Sequence, residues 1–349
     1  MTVFKKSLLQ GYIAPLLLAV GTAIPLFYQV AVLSIQQPDN IQTFFSLSAG
    51  LNSYQQLYTA WKTRLFSNAL AWQVDRLSIL IMHSVNIRYM NKPEPFAVAL
   101  WTFLWFLLIA LVYILFLKQR SVFYIFGTYA AITFGYMPKV AETRIYPWDM
   151  PALFIFTLFL FLFLNDKYKW LLAFLPLAMG FKETAGVLCI VFLLTDQLPK
   201  RDKWRMFIVA VVLCAFVKLG IDIYTQSSSP LFTMATGWGG KFSDIFFVQN
   251  LVGMTLFSTF FINAGTLLSF LIIPAPEKKI VSLKIIALLF AVGNFLFGLI
   301  LEYRIWFELI PFALYAIASI SYPDPVRADE PRQRSNENAI AEDPDSRPR

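Results

Sequence analysis

The chain is 349 residues long, 58% apolar and 14% charged, whereas a soluble domain of this length carries roughly 25% charged residues. Stretches such as 11–34 and 96–117 hold no charge and exceed the roughly 20 residues needed to cross a hydrocarbon core of about 30 Å. The composition therefore excludes a soluble globular enzyme and predicts an all-α, polytopic transmembrane helical bundle; the net charge of +8 lies in short clusters between apolar runs, which suits cytoplasmic loops rather than nucleic-acid binding.

In chain order, Lys5 and Lys6 precede the first apolar run, 11–34. That run is too long for a signal peptide, so it is read as an uncleaved first helix with a cytoplasmic N-terminus. Residues 35–95 form the first extracytoplasmic loop and carry Asp39, in "QQPDNIQ", directly after the span. Leu51, Tyr54, Leu57, Tyr58, Trp61 and Leu65 recur at a helical period, and Leu77, Leu80, Ile81 and Ile87 do so again. They predict two amphipathic helices on the outer membrane surface, with a packed extracytoplasmic subdomain as the alternative. Asp75 is a weaker acid candidate, because Arg76 stands beside it as in a solvated pair. Spans at 96–117, 122–137 and 151–164 follow, and the outer connection "AETRIYPWDMP" brings Glu142, Arg144 and Asp149.

Residues 170–197 pose a choice. As one helix they would extend about 42 Å and put Lys182 and Glu183 near mid-membrane; as two short helices, 170–181 and 184–197, they put that pair at a hairpin tip. With the hairpin, 18 basic residues fall on the cytoplasmic side and 10 outside. With a single helix, the clusters at 200–205 and 278–284 and the tail would all lie outside. The excess of Lys and Arg in cytoplasmic loops favours the hairpin. Its arms are too short to span alone and need protein or a wet cavity at their ends.

A span at 205–223 ends in Lys218 and Asp222, which share a helix face. The outer loop 225–249 includes "GWGGK", best read as a turn, and spans at 250–274, 283–300 and 304–320 complete about ten membrane helices, two of them short. "EYRIWFELIPF" carries Glu302, Arg304 and Glu308, the last two spaced i, i+4. Residues 321–349, with five prolines, five arginines and seven acids, read as a disordered cytoplasmic tail. Domain 1–320 thus holds the whole bundle. Cys189 and Cys214 fall in apolar runs and read as buried free thiols, and with His83 the single histidine no zinc site of ordinary ligands is expected.

On this sidedness Asp39, Glu142, Arg144, Asp149, Lys182, Glu183, Lys218, Asp222, Glu302, Arg304 and Glu308 all fall on the outer half of the membrane. Snorkelling to the headgroups would account for any one of them. A shared hydrated cavity open to the outer leaflet accounts for the set, and it would suit a lipid-linked phosphate whose tail stays in the bilayer. In this respect the chain resembles the GT-C superfamily, the multi-span glycosyltransferases that use polyprenyl-phosphate sugars, over residues 1–320. The resemblance rests on the long first outer loop with Asp39, the surface helices, and the stretches "RIYPWDMP", "GFKET" and "EYRIWFELIPF". It implies an enzyme of the bacterial inner membrane and cell envelope that moves a sugar to an acceptor at the outer face. Asp39 would be the catalytic base, and Lys182, Arg304 and Arg144 would bind the donor phosphate. Glu142, Asp149, Glu183, Glu302 and Glu308 would assist, or hold a divalent metal, although their scattered spacing defines no ligand set. The paired acid usual in that family is absent, since Asn40 follows Asp39. Two alternatives stand beside this one: a transporter or flippase for an anionic lipid or solute, and a non-catalytic scaffold of envelope assembly.

Overall fold

An apolar run placed in lipid has no water to satisfy its peptide groups, so it must close its hydrogen bonds internally. The computed structural model describes residues 2–36, 65–85, 94–138, 146–224, 271–274, 277–297 and 306–321, and every regular element among them is helical. The catalytic candidate Asp39 and the residues Glu142, Arg144, Glu302 and Arg304 lie outside these residues, as do the helix expected from Leu51, the loop 225–249 and the tail beyond 321.

The first apolar run is α1 (Thr2–Gln36). After it come α2 (Leu65–Val85) and α3 (Glu94–Leu117). A 3-10 turn over Lys118–Arg120 leads into α4 (Ser121–Ala130), which continues as a π-helical stretch, Ala131–Tyr136. α5 (Asp149–Leu164) and α6 (Tyr168–Phe181) are followed by a 3-10 helix, Glu183–Ile190, and one α-turn, α7 (Val191–Leu194). The rest is α8 (Lys200–Tyr224), α9 (Lys278–Phe297), a 3-10 turn Phe307–Leu309 and α10 (Ile310–Ser321).

Three of these helices are long and apolar enough to cross a bilayer: Gly11–Gln36, Pro95–Leu117 and Lys200–Tyr224. Four more apolar segments are shorter, Asp149–Leu164, Tyr168–Phe181, Glu183–Leu194 and Phe307–Ile320, so the expected count of about ten is not reached among the described residues. The hairpin reading of 170–197 holds in outline, because helix α6 stops at Phe181. Its second arm is not the α-helix expected over 184–197 but mostly 3-10, a tighter winding rarely sustained over eight residues. The span expected over 122–137 is helical, with an unforeseen π segment in its last third.

α1 packs chiefly along α3. It buries Ala19, Ala23, Leu26 and Val30, one stripe at helical spacing, and Phe27 sets its ring edge-on against Phe96 and Phe103. α5 is the central helix, buried on nearly every side. Phe161 on α5 meets Tyr113 and Phe116 of α3 and Tyr124 of α4 at centroid distances of 5.8, 5.4 and 6.3 Å. Phe156 and Phe159 meet Phe312 of α10. Tyr113 Oη pairs with Thr128 Oγ1 at 3.0 Å in this core, as buried hydroxyls usually do.

α2 inverts the soluble pattern. Its buried face carries Ser67, Asn68, Ala71 and Ser78, while Leu70, Leu77 and Leu80 are exposed. It touches α3 and α6, and at Gly180 the approach is close. A Cβ there would sit 2.3 Å from Phe66 Cδ2 and 3.0 Å from its Cγ. We expect Gly180→Ala to force the ring aside and to cost about 1–3 kcal/mol, read as a lower midpoint in chemical unfolding of the purified protein in micelles. Phe66→Ala should relieve the clash, so the Phe66→Ala/Gly180→Ala double variant should lose less than the two single losses summed.

Polar contacts gather at the two ends of the bundle. At one end, Lys279 bonds the Leu164 carbonyl at 2.7 Å and pairs with Asp166 at 2.9 Å. Lys278 and Lys203 there flank Asp196 at 3.1 and 3.8 Å. The opposite end holds the start of α5, the end of α6 and the turn before α10.

Candidate functional site

Three stretches far apart in sequence meet at that opposite end. The first is the end of α6. Lys182 leaves the helix with φ −157° and ψ 131°, an extended conformation that swings its side chain off the helix axis. The terminal carbonyl of Phe181 accepts a hydrogen bond from Ser67 Oγ of α2 at 3.2 Å. That contact satisfies one of the acceptors that every helix end leaves open. Lys182 N–H still bonds the Ala178 carbonyl, and the Lys182 carbonyl accepts from Ala185 N–H.

The second stretch is the turn Phe307–Leu309. Glu308 is fully buried there, and its Oε1 pairs with Lys182 Nζ. Its Oε2 accepts from Thr184 Oγ1 at 2.8 Å. Both carboxylate oxygens are therefore engaged, one by a cation and one by a hydroxyl. That arrangement lets an ion pair survive burial, because desolvated charges need a partner and hydrogen bonds at once. Lys182, 5% exposed, does not snorkel; it turns inward.

The third stretch is the start of α5. Asp149 occupies the first turn, where the helix dipole and the free N–H groups favour an anion. It is 2% exposed. Its Oδ2 accepts from Tyr136 Oη at 2.7 Å, while its Oδ1 is buried without a hydrogen-bond partner. Tyr136 closes the π-helical stretch, and its ring stacks on Phe307 at 4.8 Å. Asp149 and Glu308 are thus joined through one pair of rings.

Aromatic side chains surround this region. Trp101 Nε1 donates to the Pro147 carbonyl at 3.0 Å, and Tyr146 lies 4.8 Å from Trp148. Trp105 bridges Trp101 and Phe181, at 5.4 and 6.0 Å. On α8, Lys218 pairs with Asp222 at 2.8 Å, as their i, i+4 spacing suggested. Cys189 and Cys214 are free and buried, with their sulfurs 3.7 Å apart. They fasten the 3-10 helix to α8.

Of the site residues expected from sequence, Asp149, Lys182 and Glu308 come together and Glu183 follows Lys182 directly. Glu308 takes Lys182, 126 residues away, as a partner; Arg304, spaced i, i+4 from Glu308, lies outside the described residues. Two participants were missed. Thr184 stands in the quoted stretch "GFKET", and its neighbourhood to two charges was a usable signal. Tyr136 carried none, because its aim depends on the π segment. Among the described residues no three of His, Cys, Asp and Glu gather as metal ligands. Compared with family models, with curated proteins and with solved structures, the chain finds no match in any of the three.

Proposed function

We propose that the chain is a polytopic membrane glycosyltransferase that moves a sugar from a polyprenyl-phosphate donor to an acceptor at the outer face of the membrane. The observation that supports it most is the convergence of Asp149, Lys182 and Glu308 at one end of the bundle. Buried charge among apolar helices is costly and gathers where ions or charged substrates are handled. Arg304 and Arg144 stand four and five residues along the chain from Glu308 and Asp149.

In this reading the acceptor hydroxyl attacks the anomeric carbon and the bond to the lipid phosphate breaks. Asp39 takes the hydroxyl proton. Arg304 and Arg144, as bidentate donors, neutralise the departing phosphate, while Lys182 contributes a field already shared with Glu308. The open Oδ1 of Asp149 accepts from a sugar hydroxyl. The exposed leucines of α2 meet the outer leaflet and line the path of the polyprenyl tail.

The test uses the purified chain in proteoliposomes that carry radiolabelled polyprenyl-phosphate sugars. Asp39→Asn should lower transfer by about 100-fold or more, the size of a lost general base. Arg304→Gln should lower retention of polyprenyl phosphate in native mass spectrometry, with an unchanged elution profile. Wild-type transfer in both variants would overturn the assignment. Passage of the intact lipid to the other leaflet, without transfer, would put a flippase in its place.

A further inference from the structure

The end of the bundle opposite Asp149 contains a cleft that the proposed reaction does not use. It encloses about 400 Å³ between the end of α5, the segment 194–197 and the start of α9, and is lined by Phe163, Thr195, Asp196, Lys278, Lys279 and Ser282 among others. Pockets of 300–1,000 Å³ suit a small molecule or a headgroup. We propose that this cleft holds the phosphate headgroup of an anionic phospholipid, with the acyl chains lying along the neighbouring helices.

Four observations support this. First, the wall is built and polar. Lys279 is fixed by Asp166 and by the Leu164 carbonyl, and its ammonium stands 6.0 Å from the centre of the Phe163 ring, which forms the floor. Ser282 Oγ reaches the Leu194 carbonyl across the cleft at 3.3 Å.

Second, one cation is available. Lys278 is 88% exposed and, among the described residues, pairs with the half-exposed Asp196 at 3.1 Å. Surface pairs of this kind are weakly held, so a phosphate can draw the ammonium away. The hydrogen bond and charge of Lys278 hold the Asp196 carboxyl below the usual carboxylate range. Asp196 therefore stays ionised at neutral pH and would accept hydrogen bonds from headgroup hydroxyls. Glu277 also lines the cleft, so it offers two ammonium groups and two carboxylates; such a mixed wall fits a glycerophosphate, which brings hydroxyls as well as charge, better than a bare anion.

Third, the surroundings are basic. Lys200, Arg201, Lys203 and Arg205 open α8 beside the cleft, with Asp202 as the one acid among them. Such clusters at the end of a membrane helix attract anionic lipid.

Fourth, the flanking faces are apolar and uncovered. Val281, Ile285 and Leu288 on α9 are exposed, as are Ile208 and Val212 on α8. Trp170 and Trp204, near the starts of α6 and α8, are exposed as well, as aromatic residues at a membrane–water interface would be. A soluble phosphate would have no use for these faces, whereas two acyl chains would cover them.

The full-length chain in detergent, titrated with phosphatidylglycerol and followed by native mass spectrometry, tests this. Saturable binding of phosphatidylglycerol is expected, with phosphatidylcholine at least tenfold weaker. Lys278→Glu changes an exposed side chain and should leave the fold intact; it should weaken phosphatidylglycerol binding about tenfold. Lys200→Gln/Arg201→Gln, beside the cleft but not in its lining, should weaken binding through the lost surface charge, by clearly less than Lys278→Glu. Equal binding in Lys278→Glu and wild type, or an equal loss in the Lys200/Arg201 variant, would overturn the site. Competition by glycerol phosphate or inorganic phosphate at lipid-like concentrations would overturn the lipid as its occupant. None of these readings depends on sugar transfer.

Discussion

Replacing Glu308 with leucine while Lys182 remains is expected to destabilise the bundle by about 3–5 kcal/mol, the usual cost of leaving one member of a buried ion pair alone. Glu308 is fully buried and Lys182 nearly so, so water cannot take over the lost contact. Lys182→Met alone should cost a similar amount, since Glu308 would lose its cation while keeping the hydrogen bond from Thr184 at 2.8 Å. The double variant Lys182→Met/Glu308→Leu should return to within about 1 kcal/mol of wild type, because an apolar pair of matched volume often replaces a buried ion pair without loss. Steric trapping or chemical unfolding in bicelles reads all three. A double variant as unstable as the single ones would show that the pair holds the two elements together by more than mutual neutralisation. Transfer activity separates structure from chemistry: a double variant that folds but no longer transfers sugar would give the pair a part in the reaction beyond its part in the fold.

The second large effect is expected at Phe161. Its ring meets Tyr113, Phe116 and Tyr124 from two other helices. Phe161→Ala in a water-soluble protein costs about 3–5 kcal/mol, part from transfer out of water and part from the cavity left behind. In a bilayer the unfolded helix already keeps Phe161 among acyl chains, so the transfer part vanishes and only packing remains. The expected loss is therefore at the lower end, about 3 kcal/mol, with Phe161→Leu nearer about 1 kcal/mol. A loss under about 0.5 kcal/mol for the alanine variant would mean that lipid or neighbouring rings refill the space.

What could be read in advance followed physical locality. The helical class was legible because apolar length is a local property of the chain, and the break before Lys182 because the distribution of Lys and Arg over all the loops favoured a hairpin there. The winding after the break was not. Glu183–Ile190 is apolar apart from its first residues, and neither composition nor period distinguishes a 3-10 from an α geometry there. The partner of Lys182 was hidden by distance: i, i+4 spacing nominated Arg304 for Glu308, but no spacing rule relates 182 to 308. Asp149 was singled out by charge, whereas its hydrogen bond from Tyr136 depends on the extra residue per turn in Ala131–Tyr136. That residue changes where the next side chain aims. α2 was expected to lie on the membrane surface with a packed subdomain as the alternative, and its leucines are exposed while Ser67, Asn68 and Ser78 face protein. Pattern gives the stripe but not which side receives protein.

The ion pair also sets an order of events during synthesis. Lys182 leaves the ribosome 126 residues before Glu308. At about 5–20 residues per second it waits roughly 6–25 seconds without its counter-ion. A lysine held that long at the middle of a continuous transmembrane helix would oppose insertion. At the break between α6 and the 3-10 helix it can stay hydrated at the headgroups until the turn before α10 arrives. On this order the turn before α10 would bring the counter-ion last, and its arrival would let the ammonium turn inward.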